Sequence, residues 1–245
     1  MRPRVAVFDL TCCEGCELQI LNCEEELPDL VAALDIVEFR EAMTGRVDDC
    51  DIAFIDGACS RRSEVAALKE IRRRSKMVIP IGSCAHLGNV NCLKNPYPME
   101  ELAAEEFGPG ADIDTIPARP ISAVIPIDYF IPGCPIVKDE FLRVVEELLA
   151  GRMPRQPDNP VCAECKAAEN VCVFDLKRTC LGPVTRGGCA ATCVTAGAVC
   201  WGCRGFIDDP NIAAERLILR QAGLSAGDIA ASFNLFNACQ EAVWK

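Results

Sequence analysis

Apolar residues in the first 150 positions fall into two textures. Some form short unbroken runs, and others recur every three or four positions. The run "RVAVFDL" (4–10) predicts a strand buried on both faces. In the following "EGCELQILNCEEELPDLVAAL", Leu18, Leu21, Leu27, Leu30, Val31 and Leu34 lie near helical spacing, with Pro28 expected to break or kink the helix. "DIVEFR", "CDIAFIDG" (50–57) and "KMVIPIGSC" (76–84) predict three more strands. "RSEVAALKEIRRRS" is amphipathic, with Ser63 as a candidate N-cap. Residues 99–107 predict a short helix, and "IVKDEFLRVVEELLAG" a longer one stopped by Gly151. Strands alternating with helices imply an α/β domain with helices on both faces of a parallel sheet. A flavodoxin-like doubly wound sheet over residues 1–152 is the simplest fit. Such sheets gather their chemistry at the carboxyl ends of the strands. "CCEGC", "DGACS", "GSCAH" and "PGCP" each follow an apolar run at such an end.

The texture changes after Gly151. "RMPRQPDNP" is a polar, proline-rich linker. Residues 162–203 hold eight cysteines and few periodic apolar positions. A segment of that kind needs metal to organise it. The tail, 211–245, reads as two helices split near Gly223 to Gly227. A second domain, irregular and cluster-organised, is therefore expected over 160–245. No G-x-G-x-x-G follows a strand and no Walker A sequence occurs, which argues against a dinucleotide or a nucleotide phosphate.

Composition narrows the chemistry. The chain has 245 residues, 36 acidic and 25 basic, for a net charge of -11. That balance disfavours nucleic acid or an anionic membrane as the main partner. No apolar run of membrane-spanning length is present. The opening "MRPRVAVFDL" reads as a strand, since its apolar stretch ends at Asp9 with no cleavage site after it. A cytoplasmic location is expected, unless a partner carries an export signal for both. Eighteen cysteines in such a chain point to metal, because cellular thiols reduce disulfides. With His86 as the single histidine, mixed Cys/His zinc sites are weakened. All-cysteine zinc and iron–sulfur sites remain.

The cysteines form two constellations. Cys13, Cys16, Cys84 and Cys134 come from three strand ends. Gly15 lets the backbone approach a cluster, and Gly133 with Pro135 holds Cys134 in a tight turn. Four such thiolates can enclose a [4Fe–4S] cubane. The C-x-x-C pair alone also suits a redox dithiol or half a zinc site. The second constellation is Cys162, Cys165, Cys172, Cys180, Cys189, Cys193, Cys200 and Cys203. Eight cysteines make two sets of four, either two zinc sites or two clusters. The inner spacings lack the two close pairs of a zinc ribbon and favour iron–sulfur.

"LTCCEGCELQ", "GSCA", "GCP", "CAEC", "CLGPVTRGGC" and "CWGCRG" together span residues 10–205. On these motifs the chain resembles the small, electron-transfer subunit of [NiFe] hydrogenases, in particular the delta and gamma subunits of the cytoplasmic sulfhydrogenase and coenzyme F420 groups. The resemblance implies a proximal cluster on Cys13, Cys16, Cys84 and Cys134. It implies a medial cluster on Cys189, Cys193, Cys200 and Cys203, and a distal one on Cys162, Cys165, Cys172 and Cys180. Relatives without a cysteine at position 193 hold a three-iron centre there, and others have histidine at position 162. This chain has cysteine at both, which implies three [4Fe–4S] clusters. The implied partners are a [NiFe] hydrogenase large subunit and a flavin or iron–sulfur electron-transfer subunit.

Six cysteines are left over: Cys12, Cys23, Cys50, Cys59, Cys92 and Cys239. Most read as small hydrophobes. Cys59 lies in "DGACS", at a strand end that should border the proximal cluster. Asp56 in the same loop reads as a capping carboxylate. His86 could donate to that cluster, but reads more simply as a helix-start histidine. Glu14 and Glu17 flank ligands, as interface carboxylates or as part of a proton exit. Two other readings compete. The quinone-linked small subunit of respiratory complex I shares the Cys12–Cys13 pair but lacks the eight-cysteine segment. A zinc-stabilised interaction module would be colourless, where an iron–sulfur protein is brown.

Overall fold

The four apolar runs form four strands: β1 (Arg4–Asp9), β2 (Asp35–Phe39), β3 (Cys50–Asp56) and β4 (Ser75–Ile81). They pair side by side in parallel, in the order β2-β1-β3-β4. The computed structural model describes residues 2–240. By its internal contacts the chain divides into two compact units, Met1–Lys138 and Asp139–Lys245.

In the first unit both faces of the sheet are covered. Consecutive residues Val5, Ala6, Val7 and Phe8 are all buried, which is why the strands read as continuous apolar runs rather than alternating ones. Ala6, Phe8, Ala53, Ile55 and Val78 pack on one side with Leu68 and Ile71. The helices are α1 (Gly15–Leu21), α2 (Leu27–Ala33), α3 (Arg62–Arg74), α4 (Gly82–Leu87) and α5 (Met99–Phe107). Three details depart from the sequence expectation. The helix after β1 is two helices, and Pro28 opens the second rather than kinking one, since its missing N–H costs nothing in a first turn. Ser63 is not the N-cap of α3. The cap is Arg61, whose N–H donates to Glu64 at 2.9 Å, while the Ser63 hydroxyl donates to Asp114 at 2.6 Å. The fourth strand stops at Ile81, so Gly82, Ser83 and Cys84 form the first turn of α4.

The sheet's open edge carries a vestigial fifth position. The Ile131 N–H donates to the Pro80 carbonyl, the Gly82 N–H to the Ile131 carbonyl, and the Ser83 N–H to the Gly133 carbonyl. These three bonds bring the segment before Cys134 alongside the start of α4. The order has β1 inside, with β2 and β3 on its two sides, so the chain leaves β1 at the topological switch point.

The second unit contains α6 (Lys138–Leu149, nearly all within it), α7 (Val161–Ala167), α8 (Thr192–Thr195), α9 (Ile212–Gln221) and α10 (Ala226–Asn237). The last two match the expected tail helices, and residues 241–245 of that tail lie outside the described residues. Two small apolar clusters lie among its described residues. One is Leu181, Val184, Leu219, Ile229 and Phe233. The other is Val161, Val173, Val194 and Val199 packed with Ala191, Cys180 and Cys200, and with Cys165 and Cys189 at its margin. Candidate ligands thus make up much of that core. No helix among the described residues is long and apolar enough to cross a membrane.

Candidate metal centres

The turn after β1 presents Cys13 exposed and Cys16 buried at the start of α1. The turn is tight, with Glu14 left-handed at φ 62°. Two glycines make room for sulfur. A Cβ on Gly15 would lie 3.4 Å from the Cys13 Sγ, and one on Gly82 would lie 2.3 Å from the Cys16 Sγ. Gly82 also has φ +79°, a conformation other residues rarely adopt. Cys84 and Cys134 complete the set through Asn89. The Asn89 Nδ2 sits 3.2 Å from the Cys84 Sγ, close enough to donate, and 3.9 Å from the Cys134 Sγ. Asn89 is buried and itself left-handed, at φ 53°. Sequence reasoning misses Asn89. The only local signal is the Gly88–Asn89 pair, a common turn dipeptide.

Burial pushes the thiols of Cys16 and Cys134 up and that of Cys84 up to about 11, and the Asp56 carboxylate adds to each. Asp56 is itself raised, to about 6, by burial, although the Gly57 N–H donates to it at 2.7 Å. Glu17 is buried with both oxygens unpartnered, and burial raises it to about 8. This site therefore holds thiols and carboxyls and little positive charge. Four thiols there need a cationic core to displace their protons, and an iron–sulfur cluster supplies one.

Cys59 is fully buried in the sheet's apolar core, and its backbone pairs with Arg119. The charges acting on its thiol are Glu64 and Arg119 rather than other cysteines. His86 stacks on Phe130, with ring centroids 3.8 Å apart. Cys23 and Cys50 are buried, bonding to the Gln19 carbonyl and the Ser75 hydroxyl.

In the second unit the eight cysteines form two adjoining neighbourhoods that meet at Cys180 and Cys200. Cys162 and Cys165 lie on α7. Burial raises Cys162 to about 12, and the charges of Cys180, Cys165 and Cys172 raise it further. The Cys180 sulfur accepts from the Gly182 N–H at 3.4 Å and the Cys200 N–H at 3.3 Å. A Cβ on Gly182 would lie 3.3 Å from both the Cys162 and the Cys180 sulfur. Glu215 of α9 is buried nearby with both oxygens unpartnered, and burial raises it to about 7.

Around the other four, Ala190 and Ala191 are both left-handed, at φ 52° and 51°, which turns the chain between Cys189 and Cys193. Burial raises Cys189, opposed by the guanidinium of Arg204. The Glu164 carboxylate accepts from the Gly188 and Ala191 amides and lies 3.9 Å from the Cys189 Sγ. Glu164 sits between Cys162 and Cys165, so one side chain ties the two neighbourhoods together. Sequence reasoning misses both Glu164 and Arg204. Their roles depend on contacts 17 to 64 positions away. Among the described residues, no three or more His, Cys, Asp or Glu are arranged to hold a lone metal ion.

Residues 13–148 match the family described as NADH ubiquinone oxidoreductase, 20 Kd subunit. That span covers β2 to β4 and the first cysteine set and stops short of Cys162. The delta subunit of sulfhydrogenase 2 from Pyrococcus furiosus is 36% identical over 222 residues, covering 89% of this chain and 92% of its own length. A subunit of the vhu F420-non-reducing hydrogenase from Methanococcus voltae is 30% identical over 272 residues, covering 96% and 95%. Both matches run through the eight-cysteine segment, which separates them from the quinone-linked reading. A chain of an NAD+-reducing [NiFe]-hydrogenase, solved in its H2-reduced state, superposes with a TM-score of 0.58 at 25% identity, covering 64% of this chain and 96% of that one. The chain belongs to the 20 Kd NADH ubiquinone oxidoreductase subunit family and within it is a [NiFe] hydrogenase small subunit, the iron–sulfur electron-transfer component of an oxidoreductase whose catalytic site is on the large subunit.

Proposed function

We propose that this chain carries three [4Fe–4S] clusters and relays electrons between the nickel–iron site of the large subunit and a second redox subunit, in the cytoplasm. Cys13, Cys16, Cys84 and Cys134 hold the proximal cluster. Cys189, Cys193, Cys200 and Cys203 hold the medial one, and Cys162, Cys165, Cys172 and Cys180 the distal one. When bound, each cluster takes up and passes on one electron. The protein's own part is to exclude water, supply N–H donors to sulfur and set the local charge. One observation carries the reading. Thiols of each proposed set act on one another or on a shared neighbour, and beside the proximal and distal sets glycines leave space next to sulfur that a Cβ would fill.

The second redox subunit carries flavin, iron–sulfur clusters or both, and it decides the final acceptor. The relatives' names differ in that respect, from sulfhydrogenase to F420-non-reducing and NAD+-reducing hydrogenase. Co-purification under anaerobic conditions identifies that partner.

Iron and acid-labile sulfide, measured anaerobically, are expected near twelve of each per chain. A value near eight would remove one of the three ligand sets.

Removing the iron is expected to expose amides of residues 160–205 to hydrogen exchange well before those of β1, β3 and β4. The sheet keeps its apolar core without metal, whereas one core cluster of the second unit is built partly from ligands. Equal protection of both regions in the iron-free protein would refute this.

A further inference from the structure

The second unit buries a complete ion pair beside one cysteine set. Arg204 follows Cys203 directly in sequence, and its side chain is 1% exposed. Its guanidinium donates to both oxygens of Glu140, at 2.7 and 2.9 Å. Its Nε donates to the carbonyls of Gly187, at 2.8 Å, and Arg186, at 3.2 Å. A Cβ on Gly188 would lie 2.3 Å from an Arg204 terminal nitrogen. The guanidinium is therefore packed against the backbone just before Cys189. The Cys189 and Cys203 thiols are both among the charges acting on it.

Stability does not account for this arrangement. A buried ion pair has a large desolvation cost, and a packed apolar pair of similar volume often serves a fold as well or better. Adjacency to sulfur gives the pair another consequence. A fixed positive charge in a water-poor site stabilises the more negative, reduced form of a nearby cluster and raises its potential.

We propose that the Arg204–Glu140 pair sets the reduction potential of the cluster held by Cys189, Cys193, Cys200 and Cys203. This rests on the ligand set given above. Arg204 acts as a positioned charge and Glu140 as its counterweight. Other charges share the neighbourhood. Glu164 lies 3.9 Å from the Cys189 Sγ, and the half-exposed Arg143 lies 3.9 Å from Glu140. Neither replaces the fork that Arg204 makes, which a lysine cannot reproduce.

The test is a redox titration of the assembled, anaerobically purified complex, followed by electron paramagnetic resonance. Cys193→Ser first identifies the wave of this cluster by altering it. Glu140→Gln keeps the shape of the pair but leaves Arg204 unbalanced, so the midpoint moves to more positive potential. The double variant Glu140→Gln/Arg204→Gln is neutral at both positions, which avoids a lone buried charge, and its midpoint falls below that of Glu140→Gln. Arg204→Lys keeps the charge, so the midpoint stays close to wild type while the thermal midpoint drops. A purely structural role would lower stability in all three without this ordering. Equal midpoints in Glu140→Gln and the double variant, with the wave present, overturn the inference and leave the ligand reading intact. If Cys193→Ser alters no wave, the ligand assignment fails and the inference fails with it.

Discussion

Gly82→Ala is expected to abolish the proximal cluster while Gly197→Ala leaves all three in place. The two glycines share a backbone conformation, with φ +79° and +82°. A left-handed alanine costs about 1–2 kcal/mol at either position. What differs is the space around the new methyl group. At Gly197 nothing lies within 4 Å. At Gly82 the methyl carbon would lie 2.3 Å from the Cys16 sulfur and 3.5 Å from the Asp56 Oδ1. Cys16 is buried in the first turn of α1, so its sulfur has little room to retreat. Overpacking of this kind adds roughly 1–3 kcal/mol and displaces a ligand as well. Iron per chain should fall by about four in Gly82→Ala, with loss of one resonance and a clearly lower thermal midpoint. A full complement of iron in that variant would show that Cys16 is not a ligand or that α4 shifts freely.

Cys12→Ser is expected to keep the proximal cluster and hydrogen oxidation by the assembled complex, whereas Cys13→Ser should lose both. The two residues are neighbours, and their thiols go different ways. The Cys12 sulfur donates to the Leu10 carbonyl at 3.6 Å, which keeps it at the end of β1. The Cys13 sulfur is exposed beside Gly15, and it is among the charges acting on both Cys84 and Cys134. Serine at position 12 can donate to the same carbonyl, so the cost should stay near or below about 1 kcal/mol. Serine at position 13 removes one of four thiolates and lowers electron flow from the nickel–iron site by a large factor. Electron paramagnetic resonance of the two reduced variants compares them directly. A proximal signal lost in Cys12→Ser and kept in Cys13→Ser would move the ligand register by one residue.

The sequence alone determined the sheet and the groups at its edge. Unbroken apolar runs specify parallel strands covered on both faces, because no position along them can face water. The cysteine-bearing motifs after β1, β3 and β4 then land at the carboxyl edge, since a parallel sheet has only one such edge. The eight-cysteine segment likewise declared itself by having too few periodic apolar residues for a core. Tertiary structure decided what each sulfur faces. Asn89 reaches Cys84 and Cys134 only because the vestigial edge at Ile131–Gly133 aligns the two cysteines. Gly82 matters because α1 places Cys16 against it, which no spacing rule encodes. Arg204 follows "CWGC" with nothing local to mark it, yet it is paired with Glu140, 64 positions earlier, and nearly inaccessible to water. A short-range pattern records which residues share a strand or a helix face. The charge, the donors and the free space around a thiol come from segments distant in sequence, and only their packing fixes them.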